Sequence, residues 1–279
     1  MSENETAPGL PVEATWQRHS LAADAPADEL EASYRAAVDA IREGRVIVIP
    51  TDTVYGVAAD ATNADAVQAL LNAKVRGRDM PPPVLISDAI MLGSLAQEVP
   101  EAAATLTAAH WPGALTVILK AQSSLGMDLG ETAGTIAVRV PDHEGTRALL
   151  RRTGPLAVSS ANISGNPAAT TVDEAVDQLG ESIAVYLDGG PTPGMSPSSI
   201  VDFSGSDAGR LVRLGALTVE ALQELLPDLD LGEFAPVTEV EEVDEAPAEP
   251  ETETAEEAAV EDMIEEGGPV EAAEEPAQS

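Results

Sequence analysis

Between residues 28 and 215, short apolar runs alternate with segments whose apolar residues recur at helical spacing. The helical segments are 28–43, 64–74, 101–110, 143–154 and 171–180. The strand-like runs are 45–49, 83–87, 114–120, 135–140, 155–160, 184–190, 198–203 and 210–215. Interleaving of this kind is typical of a large sheet covered by helices. We therefore predict one α/β (α+β) domain built on a twisted, mostly mixed β-sheet.

The composition changes sharply toward the end of the chain. Residues 233–279 contain 18 Asp or Glu residues and neither Lys nor Arg. Such a segment has too few apolar side chains to offset the entropy of ordering, so it is expected to be disordered. We predict a flexible N-terminus at 1–20, a folded domain at 21–226 and an acidic low-complexity tail at 227–279.

One stretch of the tail, TAEEAAVEDMIEE (254–266), has a helical pattern. Thr254 and Glu257 have the spacing of a capping box, and Val260, Met263 and Ile264 form an apolar seam. A frayed helix in a solvating tail is the favoured interpretation. The alternative is a helix that folds when it docks onto a partner.

Composition excludes several classes of function. The chain has no cysteine, so disulfides, cysteine-ligated zinc, iron–sulfur clusters and thiol catalysis are excluded. No apolar run approaches the roughly 20 residues that cross a bilayer, and the N-terminus lacks the pattern of a signal peptide. We expect a cytoplasmic protein with no membrane partner. The net charge is −35, but residues 1–232 account for only −17 and contain all 14 basic residues.

The stretch RVIVIPTDTVYGVAAD (45–60) is a buried strand with an unusually polar exit. Thr51, Asp52, Thr53 and Tyr55 follow it directly. Ligand sites in open sheets lie beyond the strand ends. A turn whose hydroxyls and carboxylate satisfy its own backbone is the better interpretation of this stretch alone.

Lys74, Arg76 and Arg78 fall within five residues, at the end of a helix and before three prolines. The helix dipole favours cations at that position. Alternatively, the three cations bind a polyphosphate, to which Arg donates bidentate hydrogen bonds. The chain lacks the G-x-x-x-x-G-K-[ST] pattern of a P-loop. Both explanations carry equal weight.

Three further motifs combine polar groups with strands. In TIAVRVPDH (135–143), Arg139 lies in an apolar strand and needs an anionic partner, either a protein carboxylate or a ligand. VSSANISGNPAATT (158–171) contains Ser160 and Asn162 in a tight loop that could bind an anion. The glycine- and proline-rich 188–203 leads into a strand, and a surface loop is its simplest explanation. The three scattered histidines do not favour a metal site.

In their order along the chain, these motifs resemble the YrdC-like family of threonylcarbamoyl-AMP synthases. The motifs that carry the resemblance are PTDTVYG, K-x-R with PPPVLI, WPGALTVIL, TIAVRVPDH, SSANISGNPAATT, DGG with SSIVDF, and RLG. They cover residues 30–222. The resemblance implies a YrdC-like domain in which the sheet and its helices surround an open cavity.

The resemblance also implies a reaction. L-Threonine and bicarbonate or CO₂ would form an N-carboxy-threonine, which attacks the α-phosphate of ATP and releases pyrophosphate. A downstream transferase complex would pass the threonylcarbamoyl group from the adenylate to the tRNA adenosine beside the anticodon. Mg²⁺ is expected to bind through the ATP phosphates rather than through protein ligands.

Site residues follow from the resemblance position by position. The catalytic, nucleotide-handling residues would be Lys74, Arg76, Ser160 and Asn162. Thr135 and Arg213 would also contact ATP. Thr51, Arg139 and Ser198 would bind threonine, with Arg139 pairing with its carboxylate. Asp52 and Tyr55 are expected to shape the turn rather than to contact substrate.

Three positions depart from common patterns of the family. Ser87 stands where some members have a histidine, Ala168 replaces a frequent hydroxyl, and Ser199 replaces a usual threonine. Two rival functions stay open: a non-catalytic module that binds structured RNA weakly through its basic cavity, and an enzyme that forms a carbamoyl-adenylate from carbamoyl phosphate. The net negative charge of the chain disfavours RNA binding. The carbamoyl-phosphate enzymes carry extra domains, often with cysteines, and this chain has neither, which disfavours the second function.

Overall fold

Ten strands form one mixed sheet in a computed structural model that describes residues 16–194 and 196–235. The strands are β1 Gln17–Ser20, β2 Ile47–Ile49, β3 Gly56–Asp60, β4 Val84–Leu85, β5 Leu115–Lys120, β6 Thr135–Arg139, β7 Leu156–Ser160, β8 Val185–Asp188, β9 Ser199–Asp202 and β10 Arg210–Arg213. Their order across the sheet is β1-β8-β2-β3-β7-β4-β6-β5-β9-β10. Parallel pairs (β1·β8, β2·β8, β4·β6, β5·β9) mix with antiparallel ones. The predicted fold class is confirmed.

Helices cover the two faces of the sheet unequally. They are α1 Ala27–Arg42, α2 Ala64–Ala73, α3 Leu92–Leu95, α4 Glu101–His110, α5 Glu144–Thr153, α6 Val172–Leu179 and α7 Val219–Leu225. The larger apolar cluster contains residues of α2, α3, α4, α6 and α7, and the smaller one contains residues of α1 and α5. No helix within the described ranges is both long and apolar enough to cross a membrane.

Helix α1 illustrates how the pattern produces the packing. Tyr34, Ala37, Val38 and Ile41 recur at helical spacing, and all are buried in the smaller cluster. The helix ends before Gly44, which has a φ of 72° and so adopts a conformation that side chains disfavour.

The folded domain extends beyond the predicted limits of 21–226. β1 lies in the segment expected to be flexible, where it pairs with β8 and Arg18 forms ion pairs with Asp188 and Asp173. At the other end, Leu229 and Leu231 are buried, and the carbonyl of Asp230 accepts a hydrogen bond from the Leu211 N–H. Backbone pairing orders short segments that composition alone suggests are loose. The predicted disordered tail lies, from residue 236 onward, outside the described residues.

Strand β3 and helices α3 and α7 were not predicted. The sequence of β3, GVAAD, is rich in small residues and resembles a turn, but both of its faces are buried. Ala58 packs in the smaller cluster while Val57 and Ala59 pack in the larger one. Neighbouring strands on both sides supply the hydrogen bonds that such a short segment needs.

The unequal covering of the sheet creates a cavity. Alternate residues of β5 and β6 belong to the larger cluster, among them Val117 and Val138. The residues between them, including Ile118 and Ala137, line the cavity on the other face. Leu85 belongs both to the cavity lining and to the cluster under α1 and α5. The cavity therefore occupies the part of the sheet face beside these two helices.

Candidate active site

The cavity has a volume of about 350 Å³. Its lining combines apolar strand residues with hydroxyls and three arginines: Arg76, Arg139 and Arg213. Among the described lining residues there is no Asp or Glu, although the chain has 49 acidic and 14 basic residues. The cavity is thus a locally cationic site in an acidic protein.

The polar exit of β2 forms a hydrogen-bonded turn at the cavity wall. Thr51 Oγ1 donates to the carbonyl of Val54 at 2.6 Å and lies 3.0 Å from Thr53 Oγ1. Arg139 Nη1 donates to Thr53 Oγ1 at 3.0 Å. The single hydroxyl hydrogen of Thr51 is used in the bond to Val54, so in the contact between the two hydroxyls Thr53 is the donor and Thr51 the acceptor. These hydrogen bonds fix the orientation of both hydroxyl groups. Thr51 therefore belongs both to the turn and to the cavity lining.

Arg139 is compensated by a protein carboxylate. Its Nη2 lies 2.6 Å from Asp52 Oδ1, and its Nε donates to the carbonyl of Gly113 at 2.9 Å. The side chains of Arg139 and Asp52 are 7% and 14% exposed. Burial lowers the pKa of Arg139, and Asp52 opposes that shift. The buried charge therefore needs no ligand to neutralise it, in contrast to the expectation that threonine would do so, and contact with a threonine carboxylate stays a prediction.

Asp52 and Tyr55 make structural contacts, and Tyr55 also lines the cavity. That they shape the turn rather than contact substrate stays a prediction. Asp52 Oδ1 also accepts the N–H of Asp142 at 3.0 Å. The Tyr55 hydroxyl donates to the carbonyl of Gly190 at 2.6 Å and accepts the Gly189 N–H at 3.1 Å. The hydroxyl of Tyr55 thus ties the turn to the loop that follows β8. Burial raises the pKa of Tyr55, so this hydroxyl stays protonated.

Lys74 lies behind the cavity wall and is 1% exposed. Its Nζ contacts the carbonyl of Ser160, the carbonyl of Asn162 at 2.7 Å and Asn162 Oδ1 at 3.3 Å. Burial, and secondarily the charge of Arg76, lowers its pKa to about 8. Neither Lys74 nor Asn162 lines the cavity. Direct phosphate binding by Lys74 stays a prediction, and in this structure its ammonium group holds the end of β7.

Arg76 is the member of the K-x-R pair that reaches the cavity. Its Nη1 donates to Ser159 Oγ at 2.9 Å, while its buried Nε has no partner among the described residues. Val75, between the two cations, has a φ of 53°, which is rare for a β-branched residue. This left-handed turn of the backbone lies between a lysine bonded to β7 and an arginine that lines the cavity.

Arg213 and Ser198 both line the cavity and contact each other. Arg213 donates to the carbonyl of Ser198 from Nη2 at 2.8 Å and from Nε at 3.0 Å, and Ser198 Oγ lies 2.8 Å from Thr116 Oγ1. Burial, followed by the nearby charges of Arg139 and Arg76, lowers the pKa of Arg213. Arg213 is therefore close enough to the other two guanidinium groups to be affected by their charge.

Of the remaining predicted residues, some line the cavity and others stabilise the backbone behind it. Ser160 and Thr135 line the cavity, and the Thr135 hydroxyl donates to the carbonyl of Thr132 at 2.7 Å. Asn162 uses its amide to bond the carbonyls of Ile163 and Asn166, each at 2.9 Å. Seven of the nine predicted site residues therefore line one cavity. Lys74 and Asn162 instead stabilise the loop that carries Ser160.

The three unusual positions have different surroundings. Ala168 lines the cavity, whereas Ser87 and Ser199 do not. Ser199 Oγ accepts the N–H groups of Gly215 and Leu217 and donates to the carbonyl of Leu217. Ser199 therefore organises the loop after β10 rather than facing a ligand.

Sequence reasoning missed several lining residues, including Thr116, Thr132, Ser159 and Leu129. Thr116 carried a usable signal, because it is a polar residue inside the apolar run ALTVILK. Leu129 and Thr132 had none, since they belong to a loop without a recognisable pattern that reaches the cavity by tertiary packing.

A mixed sheet with a half-open face and a cationic, hydroxyl-lined cavity defines a class: a protein that binds a polyanionic small molecule. No group of three or more His, Asp or Glu side chains suited to a metal occurs within the part of the chain that the structure describes. The charged and hydroxyl groups that line the cavity belong to arginine, threonine, serine and tyrosine side chains.

Comparisons identify the particular family. A family model described as telomere recombination (Sua5, YciO and YrdC) matches residues 39–215. A Mycobacterium tuberculosis protein provisionally named threonylcarbamoyl-AMP synthase is 46% identical over 191 residues, which is 68% of this chain and 88% of the relative. The Bacillus subtilis threonylcarbamoyl-AMP synthase is 41% identical over 67% of this chain and 54% of its own length.

A solved structure agrees with these matches. The structure of Pyrococcus abyssi Sua5 complexed with L-threonine aligns with a TM-score of 0.72 and 30% identity, covering 80% of this chain and 65% of that chain. The chain belongs to the Sua5/YciO/YrdC family.

Proposed function

We propose that this chain is a threonylcarbamoyl-AMP synthase. It would combine L-threonine, bicarbonate or CO₂ and ATP, and would release pyrophosphate. The nitrogen of threonine becomes a carbamate, whose carboxylate oxygen attacks the α-phosphorus of ATP, while the bond to the β-phosphate bridge breaks. The relatives named threonylcarbamoyl-AMP synthase support the reaction, and the threonine complex of P. abyssi Sua5 supports the amino acid.

One observation carries the proposal: the cavity concentrates three arginines and no carboxylate within an acidic chain. ATP, a carbamate and pyrophosphate are all anions, and charge shifts between phosphate oxygens during the displacement. Fixed cations in a partly buried site stabilise such charge more strongly than cations in water do. The lining therefore matches the charge of the reactants and of the transition state.

Individual residues take roles that follow from their contacts. Arg76 and Arg213 both line the cavity, and neither has an ion-pair partner among the described residues, so they are available to phosphate oxygens. Ser160 offers a hydroxyl from the same cavity, whereas the Thr135 hydroxyl donates to the carbonyl of Thr132 and would have to leave that bond to donate to a phosphate. Lys74 and Asn162 hold the Ser160 loop in place. Positioning supplies most of the rate, because the carbamate is already ionised and needs no general base.

The Thr51 turn and Ser198 would bind the threonine. Arg139 already donates to Asp52, Thr53 and Gly113, so three of its five N–H groups are committed. The other two are free to receive the amino-acid carboxylate, with Asp52 keeping the guanidinium in place. Thr51 Oγ1 donates to the Val54 carbonyl and accepts from the hydroxyl and the N–H of Thr53, so it would contribute the shape of the threonine pocket rather than a free hydrogen-bonding group.

Mg²⁺ would enter with ATP. The cavity lining contains hydroxyls but no carboxylate, and Mg²⁺ prefers oxygen ligands including phosphates and water. Its ligands would then be the triphosphate oxygens and water, and it would neutralise charge on the leaving pyrophosphate.

The product is a mixed anhydride of a carbamic acid and a phosphate, and such a compound donates its acyl group to a nucleophile. A second enzyme must therefore accept it. We propose that a downstream complex transfers the threonylcarbamoyl group to tRNA beside the anticodon, and that the reaction takes place in the cytoplasm.

Pyrophosphate release tests the function directly. The protein is incubated with ATP, bicarbonate and Mg²⁺, with and without L-threonine, and both pyrophosphate and the adenylate are quantified. We expect release only when threonine is present. Release that is independent of threonine, or stimulated equally by carbamoyl phosphate, would rule the proposal out.

A further inference from the structure

Thr116 is a buried polar residue in an otherwise apolar strand. It belongs to β5, is 1% exposed and lines the cavity. Its neighbours Leu115 and Val117 belong to the larger cluster on the other face of the sheet. Burying a hydroxyl costs free energy unless the group is hydrogen-bonded. A valine would fill nearly the same volume without that cost, so the hydroxyl of Thr116 needs an explanation.

The hydroxyl of Thr116 has a single hydrogen-bond partner among the described residues. Thr116 Oγ1 lies 2.8 Å from Ser198 Oγ. Ser198 is itself 4% exposed and lines the cavity. Its Oγ also accepts a hydrogen bond from Arg213 Nη2 at 3.2 Å. The three side chains therefore form a row of hydrogen bonds, with Ser198 between Thr116 and Arg213.

Three adjacent strands bring this row together. Strand β9 pairs with β5 on one side and with β10 on the other. Thr116 of β5 and Arg213 of β10 are both register partners of Ile200 in β9. Ser198 directly precedes β9, and its carbonyl accepts two further hydrogen bonds from Arg213. The row is therefore held by paired strands, which fix side-chain positions more precisely than loops do.

The hydrogen count of the row determines what it offers to a ligand. Two hydroxyls in contact hold two hydrogens, and only one of these lies in the bond between them. Arg213 donates to Ser198 Oγ, and a hydroxyl that accepts from a cation becomes a stronger donor. An anionic ligand would therefore receive the hydrogen of Ser198. The bond between the two hydroxyls is then supplied by Thr116, which donates to Ser198.

We propose that Thr116 is a positioning residue that directs the Ser198 hydroxyl toward an anionic oxygen of the amino-acid substrate. Thr116 and Arg213 both donate to Ser198 Oγ and so occupy its two lone pairs. The hydrogen of Ser198 is left with one favourable direction, toward the ligand. Thr116 acts only through Ser198 and does not contact the substrate. The inference rests on the proposed function, because it takes the amino acid as the ligand of Ser198.

Binding of L-threonine to the full-length chain tests this role without turnover. Thr116→Val removes the hydroxyl and keeps the shape, so the Kd measured by titration calorimetry should rise about three- to ten-fold, as for the loss of one hydrogen bond. Thr116→Ser restores a hydroxyl and should bring the Kd back to within about two-fold of the native value. A Thr116→Val chain with the native Kd would overturn the proposal.

Thr107→Val is the matched control. Thr107 is also a buried threonine, but its hydroxyl donates to the carbonyls of Ala103 and Ala104 in its own helix, and it does not line the cavity. Its replacement should leave the Kd for L-threonine unchanged. A rise equal to that of Thr116→Val would show that any buried hydroxyl has this effect, and the role of Thr116 would then be refuted.

A double variant shows whether Thr116 acts through Ser198. Ser198→Ala should raise the Kd by about ten-fold or more, because it removes the donor to a charged group. Adding Thr116→Val to Ser198→Ala should then raise the Kd by less than about two-fold, since no hydroxyl is left to direct. Losses that simply multiply would indicate two independent contacts and would contradict the proposal.

Urea unfolding supplies a readout that needs no ligand. Each single substitution leaves the other hydroxyl without a buried partner, so the double variant should lower the urea midpoint by less than the sum of the two single shifts. Strictly additive shifts would mean that the two hydroxyls are not bonded, against the proposal. A native chain that binds no L-threonine would refute the proposed amino acid together with this role. Binding of L-threonine with independent losses would refute the role of Thr116 alone.

Discussion

At the residue scale, charged side chains of the site divide into those that face the cavity and those that build its walls. Lys74 and Arg76 are two positions apart in one motif, yet Lys74 bonds three oxygens of the Ser160 loop whereas Arg76 lines the cavity. Arg139 performs both tasks, because Asp52 neutralises it while two of its N–H groups stay uncommitted. These different contacts lead to different expectations for mutation.

Replacing Arg76 tests the cavity cation. Arg76→Met keeps most of the side-chain volume and removes the charge, so kcat/KM for ATP should fall by about 10²- to 10³-fold, the typical cost of one transition-state donor. Arg78→Met is the control, since Arg78 forms an exposed ion pair with Asp128 and does not line the cavity. It should change kcat/KM by less than about two-fold. Comparable losses in both variants would contradict the assignment.

The lowered pKa of Lys74 predicts that both activity and stability depend on pH. Its pKa in the folded protein is about 8, compared with 10.5 for an ordinary lysine. The free enzyme should lose the Lys74 charge, and with it kcat/KM for ATP, as the pH rises through about 8. The free energy of unfolding should instead increase over the same rise in pH. The unfolded chain holds this proton up to a higher pH than the folded one, so the lysine's contribution to stability rises between pH 8 and 10.5.

Rates and urea midpoints measured between pH 7 and 9.5 separate the two effects. The Lys74→Arg variant, whose guanidinium stays charged, serves as the control and should not show the decline. A native kcat/KM that is flat to pH 9.5 would show that the charge of Lys74 is irrelevant to activity.

At the element scale, strand irregularities and caps place the site residues. The register of β10 against β9 shifts between Leu211 and Arg213. In a regular strand these two residues would face the same side. The bulge instead lets Leu211 join the larger cluster while Arg213 lines the cavity on the other face. One extra residue thus decides whether the arginine is buried in the core or available to a ligand.

Helix α2, which leads to Lys74, depends on its N-terminal cap. Asn63 Oδ1 accepts the N–H groups of Asp65 and Ala66, each at 3.1 Å. Asn63→Ala should reduce the free energy of unfolding by about 1 kcal/mol, because two helix N–H groups lose their partner. Asn63→Asp keeps an acceptor and should stay within about 0.5 kcal/mol of the native chain. Urea unfolding measures both, and an equal loss in the two variants would argue against capping.

At the scale of the whole molecule, charge is separated between the cavity and the rest of the chain. The cavity contains cations without carboxylates, while residues 1–232 carry a net charge of −17 and the tail has no base at all. A small anion can enter the cavity, but a long polyanion must also approach acidic surface. The distribution therefore favours nucleotide over nucleic acid as a ligand.

Binding of tRNA tests this separation. Affinity for nucleic acid depends on neutralising several phosphates, so the chain should bind tRNA with a Kd weaker than about 10⁻⁴ M at 0.15 M salt. Fluorescence anisotropy with labelled tRNA measures this, and ATP binding measured on the same sample shows that the cavity is intact. A micromolar Kd for tRNA would revive the RNA-binding alternative.

The alternation of short apolar runs with segments of helical apolar spacing was sufficient to predict the fold class. The pattern of apolar residues within each segment is enough to indicate whether a strand or one face of a helix is buried. The order of motifs along the chain carried a family resemblance that predicted nine site residues, and seven of these nine line the cavity. The partner of Arg139, the burial of Lys74, the strand at 56–60 and the direction of Arg213 were decided by the tertiary structure. Each depends on groups distant in the sequence, such as Asp52 for Arg139 and β7 for Lys74, and a local pattern contains no information about which of them will be neighbours.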